Sequence, residues 1–276
     1  MSLNRKNPIR LKKTYAEDSI HREWDLSYRC NRLQKTLDNQ IIDRIIDEIN
    51  PPQDAIFLDA GCGPGQHSIR IAKRGFRCVG VDISETIIQR AKKTAEQSCL
   101  FSRVSFICDA LEDLELPSDS FDVVHCRGVL MHIPEWQRAL ANLCRVLKPG
   151  GKIVLMEANR TSVGTFLTLL LRQLKKGKSI KTQTPAGIEF WTERSGQPFL
   201  FRVADFRYLA RQLRTFDIDD IKEFATEFWD INRFPAGIIR NTAIIFNRIW
   251  FACRMPAYFS SGVAIIGKKK SNGHTS

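Results

Sequence analysis

The stretch Phe57-Leu58-Asp59-Ala60-Gly61-Cys62-Gly63-Pro64-Gly65 does most to limit the folds open to this chain. Residues 55–58 are a short apolar run that reads as a buried strand, and the run ends in glycines in place of a polar turn. Gly61, Gly63 and Gly65 lack a Cβ and reach positive φ freely, so a ligand is able to lie against the backbone there. A helix is predicted over 66–74, with Gly75 as its C-terminal stop. Strand, glycine loop and helix make a nucleotide-type site, in which loop and helix N–H groups are expected to face an anionic ligand. A Walker loop needs Gly-Lys-Ser/Thr, and no lysine follows Gly65. The dinucleotide fingerprint needs glycine at 66, where Gln66 stands. What remains is G-x-G-x-G after an acid, Asp59. The next strand, 77–81, runs into Asp82, and an acid there accepts both hydroxyls of a ribose. An adenosine-type ligand is implied; a pyrophosphate is not.

Three further segments follow in order. They are Val79-Gly80-Val81-Asp82-Ile83-Ser84; Phe106-Ile107-Cys108-Asp109-Ala110-Leu111 with Phe121-Asp122-Val123-Val124; and Arg145-Val146-Leu147-Lys148-Pro149-Gly150-Gly151. With the glycine loop, they make residues 20–160 resemble the class I S-adenosylmethionine (SAM)-dependent methyltransferases. The likeness is greatest to the small-molecule branch that includes ubiquinone and menaquinone biosynthesis enzymes. That resemblance implies an α/β fold: a doubly wound, mostly parallel seven-stranded sheet with an antiparallel last strand and helical or loop insertions. It implies SAM as cofactor, with S-adenosylhomocysteine (SAH) as product.

The same resemblance distributes the site. Gly61, Cys62 and Gly63 take the methionine end, and Asp82 with Ile83 takes the ribose. Asp109 accepts from the adenine amino group while Ala110 and Leu111 line the ring. Asp59 either positions the sulfonium end or caps the glycine turn. Arg127 either contacts cofactor or acceptor, or pairs with a surface acid. His21, Trp24 and Tyr28 lie in an aromatic N-terminal segment of the kind that folds over SAM, and Tyr28 is the one placed on the cofactor. His132, in Leu130-Met131-His132-Ile133-Pro134, is the catalytic candidate, since an imidazole takes a proton from a phenol, enol or amine. Its alternative is a histidine that anchors the loop.

The net charge of +12 is unevenly placed. Residues 1–16, 158–188 and 231–276 hold 18 of the 42 lysines and arginines and none of the 30 acids. A mildly acidic body therefore carries basic additions. Eight cysteines form no C-x-x-C pair, which fits reduced, packed thiols and neither a disulfide framework nor a zinc site; no metal is expected. Residues 1–13 are polar and basic without an apolar h-region, which is not a secretory pattern, and no apolar run reaches the ~20 residues a span needs. The expected compartment is the cytoplasm, with peripheral contact to an anionic membrane as a further expectation.

The pattern divides the chain into a flexible basic arm (1–16), a helical cap (17–54), the cofactor core (55–159), an insertion or lid (160–203), a core continuation (204–230), a second insertion (231–260) and a last strand with tail (261–276). Leu33, Leu37, Ile41, Ile42, Ile45, Ile46 and Ile49 recur at helical spacing, and Ile87, Ile88, Ala91, Ala95 and Cys99 make another helical face. Lys148-Pro149-Gly150-Gly151 is expected to stop a helix ahead of strand five. Residues 184–201 read as an aromatic loop, and 216–224 as strand six. The leucine-rich run 163–174, closed by Lys175, Lys176 and Lys178, is either a lid over a nonpolar acceptor or a helix lying on an anionic membrane.

The leading reading is a methyltransferase with a small, hydrophobic or lipid-like acceptor. RNA methylation and a non-catalytic SAM-binding regulator compete with it. Against RNA, the basic stretches are interleaved with aliphatic residues more than with aromatics for stacking. Cys126-Arg127-Gly128-Val129 also stands where many nucleic-acid amino-group modifiers carry Asn/Asp-Pro-Pro-aromatic.

Overall fold

The computed structural model describes residues 13–24, 31–166, 180–194, 196–231 and 234–271. A helical turn at 13–16 leads into α1 (Asp18–Trp24), and α2 (Arg32–Ile49) follows. Then come β1 (Ile56–Ala60), α3 (Gln66–Lys73), β2 (Arg77–Asp82), α4 (Glu85–Gln97), β3 (Val104–Cys108), β4 (Phe121–Arg127), α5 (Trp136–Val146) and β5 (Leu147–Ala158). β6 (Ile180–Thr184), β7 (Gly187–Arg194) and β8 (Gln197–Ala204) precede α6 (Phe206–Arg214), β9 (Ile218–Glu227), α7 (Ile238–Ala252) and β10 (Gly262–Lys269).

Seven strands form one sheet in the order β3-β2-β1-β4-β5-β10-β9. The first five are parallel, and β10 runs antiparallel to both β5 and β9. The doubly wound α/β fold with its antiparallel last strand is therefore present. Side chains alternate between the faces, as a strand period of two requires. Phe57 and Val123 join α2, α3, α4 and α7, where Ile41, Ile45, Ile71, Ile88 and Phe251 pack. Leu58 and Val124 join α5 and α6, through Leu140, Leu143 and Leu213. Each such buried aliphatic is worth roughly 1.5–3 kcal/mol over leaving it in water.

Local signals set the element ends. Asn31 caps α2 by accepting from the N–H groups of Leu33 (2.9 Å) and Gln34 (3.2 Å). Ser84 does the same for α4 at Ile87 (3.4 Å). Cys99 does not continue the apolar face of α4: it is exposed, beyond the helix end, at a φ of 54°. Lys148 to Gly151 form an irregularity within β5, where the register against β4 skips from Leu147 to Lys152 and Gly150 takes a φ of 79°.

The largest departure from expectation lies in 184–201, which is not a loop. β6, β7 and β8 form a second, antiparallel sheet. β7 hides its period because Phe190 and Trp191, side by side on opposite faces, are both buried. The hairpin signal was present at residues 195 and 196, a Ser-Gly pair between two aromatic runs. Thr14 and Tyr15, expected within the arm, are buried. No helix among the described residues is long and apolar enough to cross a membrane.

Candidate functional site

The carboxyl ends of β1, β2, β3 and β4 share one edge of the sheet, the place where doubly wound folds hold ligands. Asp82 faces Cys108 across β2 and β3, and the Asp109 N–H donates to the Asp82 carbonyl (3.0 Å). Asp82, Ile83, Asp109 and Ala110 are thus brought together. The Asp82 carboxylate accepts from Gly63 N–H (2.9 Å) and Ser84 N–H (3.0 Å), one on each oxygen. A carboxylate has about four lone-pair positions, so capacity for two hydroxyls remains. Asp109 accepts from Ala110 N–H (2.8 Å) and Glu115 N–H (3.2 Å), which shapes the turn after β3.

The glycine loop works differently from the expectation of N–H groups aimed at an anion. The N–H groups of Gly61 and Cys62 donate to the Val81 carbonyl, that of Gly63 to Asp82, and that of Gly65 to the Cys62 carbonyl. They are spent on the end of β2 and on the loop itself. Gly61 is needed for packing: at φ 73°, a Cβ there would lie 2.1 Å from Val129 Cγ2. The loop offers a shape and a carboxylate, which suits a ligand without phosphate.

Several assigned residues sit elsewhere. Asp59 is 1% exposed and neither caps the glycine turn nor reaches the crevice. Its two oxygens accept from Ser68 Oγ (2.6 Å) and His125 Nδ1 (2.9 Å), and His125 is its register neighbour on β4. Those two hydrogen bonds hold its carboxyl below the usual range against the opposing effect of burial. Cys62 is buried under the loop against Gly80, and burial pushes its thiol well up. Leu111 packs in the core beside Leu114 and Phe121. Arg127 is held by Asp38 (2.7 Å) and Glu227 (3.3 Å) and lies 3.2 Å from His67 Nε2. Asp59, His67 and His125 come within 4.8 Å of one another, a spacing open to a metal ion, but the Arg127 guanidinium beside His67 opposes one. Tyr28 lies outside the described residues.

The roof over this edge is built from residues other than those expected of the N-terminal segment. Tyr15 and Ile20 from the N-terminal segment meet Trp191, Phe199 and Leu200 of the small sheet, with Ile83 against them. Ser84 Oγ donates to the Ala16 carbonyl (3.0 Å), tying roof to strand end. Tyr15 donates its hydroxyl proton to the Leu200 carbonyl (2.8 Å) and accepts from the Leu200 N–H (3.2 Å). Burial raises the Tyr15 phenol above its ordinary value. His132 Nδ1 lies 2.7 Å from the same carbonyl, so Nδ1 carries the proton and donates it. Burial pushes the His132 imidazole down to about 4, so it is neutral near pH 7.

The turn that carries His132 is gripped from both sides. Arg202 of β8 donates to the carbonyls of Leu130 (2.8 Å) and Ile133 (3.2 Å) and to Glu189 (2.8 Å). Glu157, at the end of β5, accepts from the Leu130 N–H (3.0 Å). Its second oxygen is buried without a protein partner, and burial pushes the carboxyl up to about 8. The folded state therefore holds a proton that the unfolded chain releases near its ordinary pKa of 4.5. Stability from this group is full below about 4.5 and falls as pH rises through 8. Against Glu157→Gln, the wild type should lose on the order of 3 kcal/mol between pH 5 and pH 9 in chemical denaturation. Parallel pH profiles would remove the claim.

Residues 58–155 match the family described as "Methyltransferase domain". The ubiquinone biosynthesis O-methyltransferase of Coxiella burnetii is 34% identical over 146 residues, covering 50% of this chain and 62% of that protein. The tRNA 5-carboxymethoxyuridine methyltransferase of Escherichia coli is 32% identical over 172 residues, covering 57% of this chain and 64% of that protein. This chain thus spans less than two thirds of these relatives. A solved S-adenosylmethionine-dependent methyltransferase from Clostridium acetobutylicum shares the fold at a TM-score of 0.59 and 13% identity, over 92% of this chain and 99% of that one. The matched residues run from β1 into β5, while the roof sheet, α7 and β10 lie beyond them.

Proposed function

We propose that this methyltransferase domain binds SAM at the ends of β1, β2 and β3 and passes its methyl group to a small, apolar acceptor. The observation that carries the reading is the pairing of one glycine loop with one ribose-type carboxylate, Asp82, under an aromatic roof. Bound SAM supplies an activated methyl group and its own leaving group. The chain's residues align and exclude water. Asp82 is suited to the ribose hydroxyls, and Asp109 with Ala110 to the adenine edge. Tyr15, Trp191, Phe199 and Ile83 close the crevice with apolar surface, which favours an acceptor of the same character. His132 anchors its turn to β8 through Nδ1 as a neutral imidazole. Arg127, paired with Asp38 and Glu227, sets the position of α2 against β4.

The likeness to a tRNA methyltransferase and the net charge of +12 favour RNA as the second reading. Against it, the roof aromatics pack inward on Tyr15 and His132 and offer no open stacking platform. Methyl-labelled SAM is incubated with the protein and, separately, with an organic-soluble extract or total tRNA. Label should enter the organic-soluble fraction. Label in tRNA would replace this reading with the second, and SAM binding without product would leave a regulator.

A further inference from the structure

A surface helix ordinarily turns its polar side outward. α7 does not. Its inward positions are Ala243, Ile244, Asn247 and Phe251. Asn247 fixes the helix to the end of β9: its amide oxygen accepts from the N–H groups of Phe228 (3.1 Å) and Trp229 (2.9 Å), and its NH2 donates to the Trp229 carbonyl (2.9 Å). The outward stripe is Ile238, Ile239, Thr242, Ile245, Phe246 and Ile249, at the one-and-four spacing of a single helical face. Ile238 is 85% exposed, and Ile239 and Ile249 are each 58% exposed. The chain just past α7 adds Met255, Tyr258 and Phe259, all exposed. Eight of the twelve exposed large apolar side chains among the described residues fall between 238 and 259. Exposed apolar side chains concentrated in this way mark an interaction surface.

Charge selects the partner. The stretch that carries the stripe, 238–259, holds Arg240, Arg248 and Arg254 and no acid. Apolar side chains and positive charge thus share one stretch of chain. An anionic lipid surface answers both features, with apolar side chains below the headgroups and arginines among them. At 15 residues, α7 is about 22 Å long, too short to cross a bilayer and suited to lying in its plane.

The geometry points to α7, with Met255, Tyr258 and Phe259, as a docking face for an anionic membrane surface. This rests on the apolar-acceptor reading only in that a membrane is where such an acceptor is met. The test uses the full chain and sedimentation with vesicles of phosphatidylcholine, with or without three tenths phosphatidylglycerol. Binding to the anionic vesicles should exceed neutral binding at least tenfold at low salt and fall in 0.5 M salt. Ile245→Asp with Ile249→Asp should reduce it at least tenfold. Both positions are exposed, so the fold and SAH affinity by calorimetry should not change. Lost SAH binding in the wild type would count against the methyltransferase reading and leave the docking face standing. Equal, negligible pelleting with both lipids overturns the docking face. So does a concentration-dependent dimer in equilibrium centrifugation that the double variant abolishes, since the stripe would then belong to a second copy of the chain.

Discussion

Arg202→Met should destabilise the chain by about 3–5 kcal/mol, the range for removing one member of a buried charged pair. Arg202 is buried and makes its hydrogen bonds to the carbonyls of Leu130 and Ile133 and to Glu189. No methionine replaces them, so two carbonyls and a carboxylate lose their donor together. A domain of this size has about 5–15 kcal/mol in total, so the loss is a large share. Changing Glu189→Met in the same chain should return part of it, because the stranded carboxylate is then gone. Urea denaturation of the two single variants and the double variant makes the comparison. A cost below about 1 kcal/mol for Arg202→Met would mean that the small sheet does not brace the β4 turn.

Asp82→Ala should weaken SAH binding on the order of 100-fold, by calorimetry, and lower stability as well. Both parts follow from one carboxylate. It satisfies the N–H groups of Gly63 and Ser84, and an unsatisfied buried donor costs about 1–3 kcal/mol. Loss of hydrogen bonds from ribose hydroxyls to a charged acceptor accounts for about 1.5–3 kcal/mol of binding. Asp82→Asn keeps one acceptor oxygen and should fall between Ala and the wild type. Unchanged SAH affinity in a folded Asp82→Ala protein would take Asp82 out of the cofactor site.

The parts legible in the sequence are those whose signals are local. Apolar runs of strand length, the glycines at 61, 63 and 65, Ser84 as a cap and the leucine and isoleucine spacing of α2 each act within a few residues. Together they led to the doubly wound sheet, while the antiparallel last strand was implied by the family resemblance alone. The acids at 82 and 109 could be placed because Asp82 ends β2 and Asp109 directly follows β3. Asp59 and His125 could not be paired, because they become neighbours only once β1 and β4 lie side by side, and β2 and β3 intervene in the chain. The residues of the roof escaped for a related reason. Tyr15 follows Lys12, Lys13 and Thr14 and carries no local mark of burial, yet its hydroxyl bonds to the backbone of Leu200. Glu157 looked like one more acid at a strand end, and only the folded turn shows it beneath Leu130.

The position of β10 also sets an order of events in synthesis. It fills the slot between β5 and β9, pairing Gly262 with Ala158 at one end and Lys268 with Lys152 at the other. Until those residues leave the ribosome, β5 presents Val154 and Leu155 along an open strand edge, and β9 has no strand to join. Chains lengthen at about 5–20 residues per second, so the interval lasts several seconds. An unpaired apolar edge is a template for another chain over that time. A nascent chain stalled between β9 and β10 should therefore be the aggregation-prone species, and a chaperone that covers the edge of β5 should raise the yield of folded protein.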